Sequence, residues 1–170
     1  VNYSIDSRYV FTFTARGDGS SKFASAHRWG FFPSGAFAWN IAHEPFLEGF
    51  KAVSALKLRL SVGQTGQQDG IGDYVHFARY VRSNAPSHTY NMGEQQYYNL
   101  LTPQAYDPTI KWETTLTWNA GLDFGFFNER LSGTLDLYWN NTRDLILRYA
   151  LGGLGGYNYQ YRNIGSTDNK

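Results

Sequence analysis

The stretch from Trp112 to Thr142 constrains what this chain can become more than any other. Its first arm sets Leu116, Trp118, Ala120, Leu122, Phe124 and Phe126 at every second position, with Thr115, Thr117, Asn119, Gly121, Asp123 and Gly125 between them. The second arm alternates Leu131, Gly133, Leu135, Leu137 and Trp139 with Ser132, Thr134, Asp136, Tyr138 and Asn140. A repeat of two is the period of a strand, whose successive side chains point to opposite faces, so each arm reads as a strand with one apolar and one polar face. The polar Asn128-Glu129-Arg130 joins the arms as an antiparallel hairpin.

The first arm is long. About fifteen residues at about 3.3 Å each span roughly 50 Å. Ordinary strands hold about five or six residues, and a tilted membrane strand needs only about 9–11 to cross. Trp112 and Trp118 lie toward one end and Phe126 and Phe127 at the other, which suits a barrel wall with aromatic rings near both membrane interfaces. The same alternation also fits a soluble β-sandwich or an extended β-repeat. Surface separates these readings. A wall keeps Phe11/Phe13, Phe37/Trp39, Leu58/Leu60, Leu122/Phe124 and Leu135/Leu137 as one outward apolar band. A sandwich buries them against a second sheet.

Composition enters here. Of 170 residues, 13 are Tyr, 12 Phe and 5 Trp. Mean hydropathy is −0.47, which a barrel with a polar lumen and long loops tolerates. No apolar run approaches the roughly eighteen residues of a membrane helix. The net charge of +1 names no partner, and the Lys and Arg are scattered rather than gathered into a phosphate-binding face. There is no Cys, hence no disulfide and no Cys-type zinc site. Val1-Asn2-Tyr3 reads as the middle of something, so the chain is expected to be an internal piece.

The rest of the chain repeats the pattern. Arg8–Arg16 alternates Tyr9, Phe11, Phe13 and Ala15 with Val10, Thr12, Thr14 and Arg16. Gly35, Phe37, Trp39 and Ile41 oppose Ala36, Ala38 and Asn40, and Pro33 before them marks a strand start, an edge or a bulge. Glu44–Phe50 reads as a short helical turn with Pro45 near its start. Ala55–Gly63 is a strand with Leu56, Leu58, Leu60 and Val62 on one face and Lys57 and Arg59 on the other. Tyr74–Arg82 is expected to hold a short strand, Ser83–Pro108 to be irregular, Asp144–Leu151 a strand, Gly152–Tyr159 a loop, and Gln160–Ser166 the start of one further strand. Long connections (17–27, 64–111, 148–161) alternate with short ones (43–55, 128–130). That is the asymmetry of an outer-membrane barrel, long outside and short in the periplasm.

Several blocks then resemble a known family in its own order: Arg16-Gly17-Asp18-Gly19-Ser20-Ser21-Lys22-Phe23, Arg28-Trp29-Gly30-Phe31-Phe32-Pro33-Ser34, Ala38-Trp39, and Leu56 to Gln67. They continue with Ile110-Lys111-Trp112-Glu113-Thr114-Thr115, Gly121 to Phe127, Thr142 to Leu147, and Asn163-Ile164-Gly165. Together they resemble the SusC/RagA family of TonB-dependent outer-membrane transporters, over nearly the whole chain. The resemblance implies an all-β fold: antiparallel strands forming part of a roughly 22-stranded transmembrane β-barrel with a plugged lumen. Residues 1–170 would supply about a third of the wall, from its C-terminal part and without the plug domain. It further implies import of oligosaccharides or peptides across the bacterial outer membrane. The implied partners are a SusD-like surface lipoprotein, TonB acting through the plug region, and outer-membrane lipid, with no nucleic acid. The alternative is a soluble β-rich carbohydrate-binding module.

No enzyme site, cofactor or metal site is expected. His27, His43, His76 and His88 lack metal-ligand spacing and read as loop or surface residues. Asp18 lacks the other acidic ligands of a calcium loop. Lys57, Arg59, Asp123 and Asp136 read as solvated wall residues. The Tyr-rich connections are the one enrichment suited to binding, since a phenol joins an apolar ring to a polar tip. Within them Tyr97, Tyr98, Tyr157 and Tyr159 are the expected contacts to substrate or partner.

Overall fold

The computed structural model describes residues 1–47, 49–50, 52–82, 90–97, 101–152 and 159–170. In chain order its strands are β1 (Asn2–Ile5), β2 (Tyr9–Gly19), β3 (Trp29–Asn40), β4 (Val53–Gln67), β5 (Arg79–Arg82), β6 (Tyr90–Met92) and β7 (Gln95–Tyr97). They continue with β8 (Leu101–Gln104), β9 (Glu113–Phe126), β10 (Leu131–Arg143), β11 (Ile146–Ala150), β12 (Tyr159–Asn163) and β13 (Ser166–Asn169). Short 3₁₀ turns cover Ser25–His27, Ile41–His43 and Pro45–Leu47. No helix among the described residues is long and apolar enough to cross a membrane, which says nothing of strands.

Seven strands form one antiparallel sheet in the order β1-β2-β3-β4-β9-β10-β13. Its register carries the alternation across the sheet. Phe11 lies opposite Phe37, Phe37 opposite Leu60, Leu60 opposite Ala120, and Ala120 opposite Leu137. The adjacent row on the same face is Tyr9, Trp39, Leu58, Leu122 and Leu135. Between them, on the other face, run Val10, Ala38, Arg59, Gly121 and Asp136. One slip would invert every side chain, so this agreement over five strands fixes the pairing.

The lower border of the apolar face is not level. Trp39 pairs with Leu58 and so stands at the height of Leu135, but the face continues to Leu56, Phe126 and Leu131 on the next strands. The drop from the level of Leu135 to that of Leu131 is about 13 Å over three strand spacings of about 4.8 Å. This is a slope of about 40°, matching the strand tilt of outer-membrane barrels.

Among the described residues, no second sheet covers the apolar face. Leu137 keeps 75%, Leu135 63% and Phe13 62% of their surface. This is the exposed band that a wall keeps and a sandwich would bury. Pro33 sits within β3 opposite Ala15, one residue before the Ser34–Asn40 segment that pairs with β4, so it lies where that side of β3 is a free edge. That is where a residue without an N–H fits.

Local corrections follow from hydrogen bonding that spacing alone does not reveal. β2 runs to Gly19 rather than ending at Arg16. Only Arg79–Arg82 of the expected Tyr74–Arg82 strand is extended, and it pairs with β8. Described parts of 83–108, expected to be irregular, hold a β6–β7 hairpin and β8. The single strand expected at Gln160–Ser166 is two: β12 pairs with β11, and after Gly165 (φ 96°) β13 pairs with β10.

The β9–β10 turn shows how the neighbouring strand holds a strained loop. Phe127, Asn128 and Glu129 all have positive φ, between 56° and 62°, and none is glycine, a costly conformation for L residues. A β-bulge between Val53 and Ala55 frees Ser54, whose hydroxyl accepts the amides of Asn128 at 2.8 Å and Glu129 at 3.4 Å. The Phe127 amide donates to the Ala52 carbonyl at 2.8 Å.

Candidate functional site

Two features of this wall bear on function: its polar face and the cap that the long connections build at one end. The polar face divides in two. Toward the cap it carries the rows Thr12–Ala36–Ser61–Asn119–Tyr138 and Thr14–Ser34–Gly63–Thr117–Asn140. Farther out the Thr115 and Thr142 hydroxyls bond across β9 and β10 at 2.8 Å. These groups are hydroxyls, amides and small side chains without formal charge, and beyond Thr14 on the same face of β2 stand Arg16 and Asp18, paired at 3.0 Å.

Toward the short turns lies a charged clasp. Arg59 grips Asp123 with two hydrogen bonds, at 3.0 and 2.9 Å, and reaches on to Asp136 at 3.1 Å. The guanidinium crosses from β4 over β9 to β10, which only a glycine beneath it permits. A Cβ on Gly121 would stand 2.8 Å from the guanidinium and 2.6 Å from Asp136. Thr134 adds a bond to Asp123 at 3.1 Å. The planar fork of Arg matches a carboxylate bidentately, which Lys57 on the same face cannot do. Three of the four charged residues read as solvated wall are therefore tied to one another.

At the short-turn end, Glu44 is buried and accepts three side-chain donors: Tyr9 Oη at 2.6 Å, Trp39 Nε1 at 2.9 Å and Arg8 Nη1 at 3.3 Å. The Tyr9 hydroxyl, then the Trp39 indole, hold this carboxyl below its ordinary pKa. Spacing missed the site because its members come from two strands and a turn.

The cap is the most deeply buried part of the described structure. Phe23, Ile71, Val75, Ile110 and Ile146, from three of the connections between strands of the large sheet, form its core, with Trp112 and Tyr161 packed against it. Trp112 is the hub. Its ring lies 5.1 Å from Phe23 and 5.5 Å from Phe32, and its indole N–H donates to the Arg28 carbonyl at 3.2 Å. Phe32 is buried on ground cleared by glycines, since a Cβ would lie 2.4 Å from its ring at Gly30 and 2.0 Å at Gly66.

Asn163 ties the cap together. Its amide accepts from Lys111 N at 2.8 Å and donates to the carbonyls of Lys111 and Asp144 at 2.9 and 2.7 Å. Lys111 also pairs with Asp144 at 2.9 Å. His76, expected in a loop or at the surface, lies in a turn and is buried here, and its Nδ1–H donates to the Lys22 carbonyl at 2.8 Å. Among the described residues, no three His, Asp or Glu side chains gather as a metal site.

Of the four tyrosines expected to make contacts, Tyr98 and Tyr157 lie outside the described residues. Tyr97 is exposed on β7 opposite Tyr90. Tyr159 is half-buried, with the Arg148 guanidinium 3.5 Å over its ring and Tyr161 edge-on at 6.0 Å. Tyr97 and Tyr159 thus stand on different hairpins. The described structure does not bring them into one site.

The comparisons agree with this geometry. The model of the TonB dependent receptor-like β-barrel family matches residues 1–170. TonB-dependent receptor SusC of Bacteroides thetaiotaomicron is 45% identical over 170 residues, covering 99% of this chain and 17% of that protein. TonB-dependent receptor P3 of Formosa agariphila is 39% identical, covering 100% of this chain and 16% of its own length. The chain therefore spans about a sixth of the curated relatives it matches. Among solved structures, the RagAB peptide importer in its closed-closed state superposes with a TM-score of 0.80 at 32% identity, over 98% of this chain and 17% of that one. The siderophore receptor PirA of Pseudomonas aeruginosa shares the fold, with a TM-score of 0.59 at 15% identity over 98% of this chain and 28% of its own. With its tilted two-faced sheet, this chain belongs to the TonB-dependent receptor-like β-barrel family, as a SusC/RagA-like stretch of outer-membrane barrel wall.

Proposed function

We propose that the complete protein imports an oligosaccharide through the outer membrane, energised by TonB acting on a plug encoded elsewhere in it. A SusD-like surface lipoprotein is its lid, and this stretch performs no catalytic step. The apolar face meets lipid, the polar face lines the lumen, and the cap of long connections lies outside the cell.

One observation carries the choice of solute. Two lumen-side rows below the cap, Thr12 to Tyr138 and Thr14 to Asn140, are hydroxyls, amides and small groups; above them Arg16 is paired with Asp18, and farther in Asp123 and Asp136 are engaged through Arg59. Such rows exchange hydrogen bonds with a hydroxyl-rich neutral solute. Tyr97, Tyr98, Tyr157 and Tyr159 are proposed contacts to that solute or to the lid, through ring stacking and phenolic hydrogen bonds.

The test is uptake by cells lacking the gene and complemented with it, in backgrounds with and without TonB. Neutral oligosaccharides should enter only with both present. Uptake of peptides instead would overturn the choice of solute, and TonB-independent uptake would overturn the mechanism.

A further inference from the structure

The lipid-side face has a depression that its own side chains leave unfilled. A dish of about 570 Å³ opens between Phe13, Phe37, Leu60, Trp118, Leu137 and Trp139, within the roughly 300–1,000 Å³ of small-molecule pockets. Two small residues leave its floor bare. Gly35 lies between Phe13 and Val62 in one row, and Ala120 between Leu60 and Leu137 in the next. Nothing internal requires Gly35. A Cβ there would meet no atom nearer than the Phe13 ring at 3.8 Å. Gly133 on the same face is different, because the Phe124 ring fills its space at 2.7 Å. Glycine weakens a strand interior and often marks the close approach of a ligand.

The dish is continuous with the band that meets lipid hydrocarbon in an outer-membrane barrel. We propose that it seats one acyl chain of a bilayer lipid as a held ligand. The chain lies over Gly35 and Ala120 between the aromatic rings. Its polar end emerges beside Trp139, where Lys170 Nζ stands 4.8 Å over the ring. Two and four residues beyond Trp139, Asn141 and Arg143 share that face, and Asn141 bonds Asp168 at 2.6 Å. Apolar side chains thus give way to hydrogen-bonding groups at the headgroup end.

The test uses the complete protein in detergent, stripped of lipid and titrated with phosphatidylethanolamine carrying dibrominated chains. The signal read is the tryptophan quenching lost in a Trp118→Phe/Trp139→Phe variant. It should saturate at one lipid per barrel and hold that stoichiometry when detergent is raised. Gly35→Val and Ala120→Phe each fill the dish without adding charge, so either variant, once folded, should abolish the saturable quenching. Quenching that merely follows the lipid-to-detergent ratio would overturn the proposal, as would filling variants that titrate like the wild type.

Discussion

Leu60 offers the sharpest perturbation of the two-faced wall. On β9 the apolar face holds six side chains from Leu116 to Phe126, so its centre falls between Ala120 and Leu122. Leu60 lies opposite Ala120, and Leu58 opposite Leu122, which places Leu60 near mid-depth. An arginine there costs about 2–4 kcal/mol, roughly 30- to 1,000-fold in the folded-to-unfolded ratio at about 1.4 kcal/mol per tenfold. Ser61 is its chain neighbour but faces the lumen between Ala36 and Asn119. Ser61→Arg should therefore stay within about 0.5 kcal/mol. Depth supplies a second axis, since Phe126→Arg near the interface should cost only about 0–1 kcal/mol for its charge. The assay is reversible denaturant unfolding of the complete protein in vesicles, followed by tryptophan fluorescence. A Ser61→Arg cost equal to or above that of Leu60→Arg would show the faces wrongly assigned. Equal charge costs at Leu60 and Phe126 would show that the face does not lie across a bilayer.

Two further outcomes concern the ends of the wall. Gly66→Ala puts a methyl 2.0 Å from the Phe32 ring and should destabilise the cap by about 1–3 kcal/mol; adding Phe32→Leu should recover part of it, measured by hydrogen exchange at Ile110–Trp112 in the double-mutant cycle. Glu44, with its pKa lowered chiefly by the Tyr9 hydroxyl, contributes stability that is complete above the ordinary glutamate range of about 4.3 and is lost as pH falls through its lower folded value. Hydrogen exchange in the Ile41–His43 turn should rise in that acid window in the wild type, whereas Glu44→Gln should show no such step.

Much of the wall is legible in the sequence because alternation is a repeated signal. Leu122 is flanked on its own strand by Ala120 and Phe124 and across it by Leu58 and Leu135, so each assignment is supported by others. The helical turn after Glu44 and the edge position of Pro33 also follow from local chemistry, namely a missing N–H and a fixed φ. The cap is not legible in this way. Phe23, Ile71, Val75, Ile110 and Ile146 come from stretches of unlike sequence, more than seventy positions separate several of them, and no period links them. Arg59 is similar. Its carboxylate partners lie 64 and 77 residues away, and only the register places Gly121 beneath it. A glycine set between Ala120 and Leu122, in line with Asp123 on the polar face, was the available signal.

Where the family blocks fall explains why a resemblance could be read while the solute could not. Phe23, Arg28, Gly30, Phe32, Gly66, Ile110, Trp112, Asp144 and Asn163 all belong to those blocks, and all meet in the cap. Wall positions tolerate any apolar or polar residue of the right face, because the register asks only for alternation. Cap positions do not, since Phe32 needs two bare glycines and Trp112 needs both an aromatic neighbour and the Arg28 carbonyl. One-off fits of this kind hold the outer connections in place. The proposed solute contacts lie on loops, which vary more among relatives than the elements they join. Identity of 45% to SusC is thus strong support for the same wall and cap, and weak support for the same cargo.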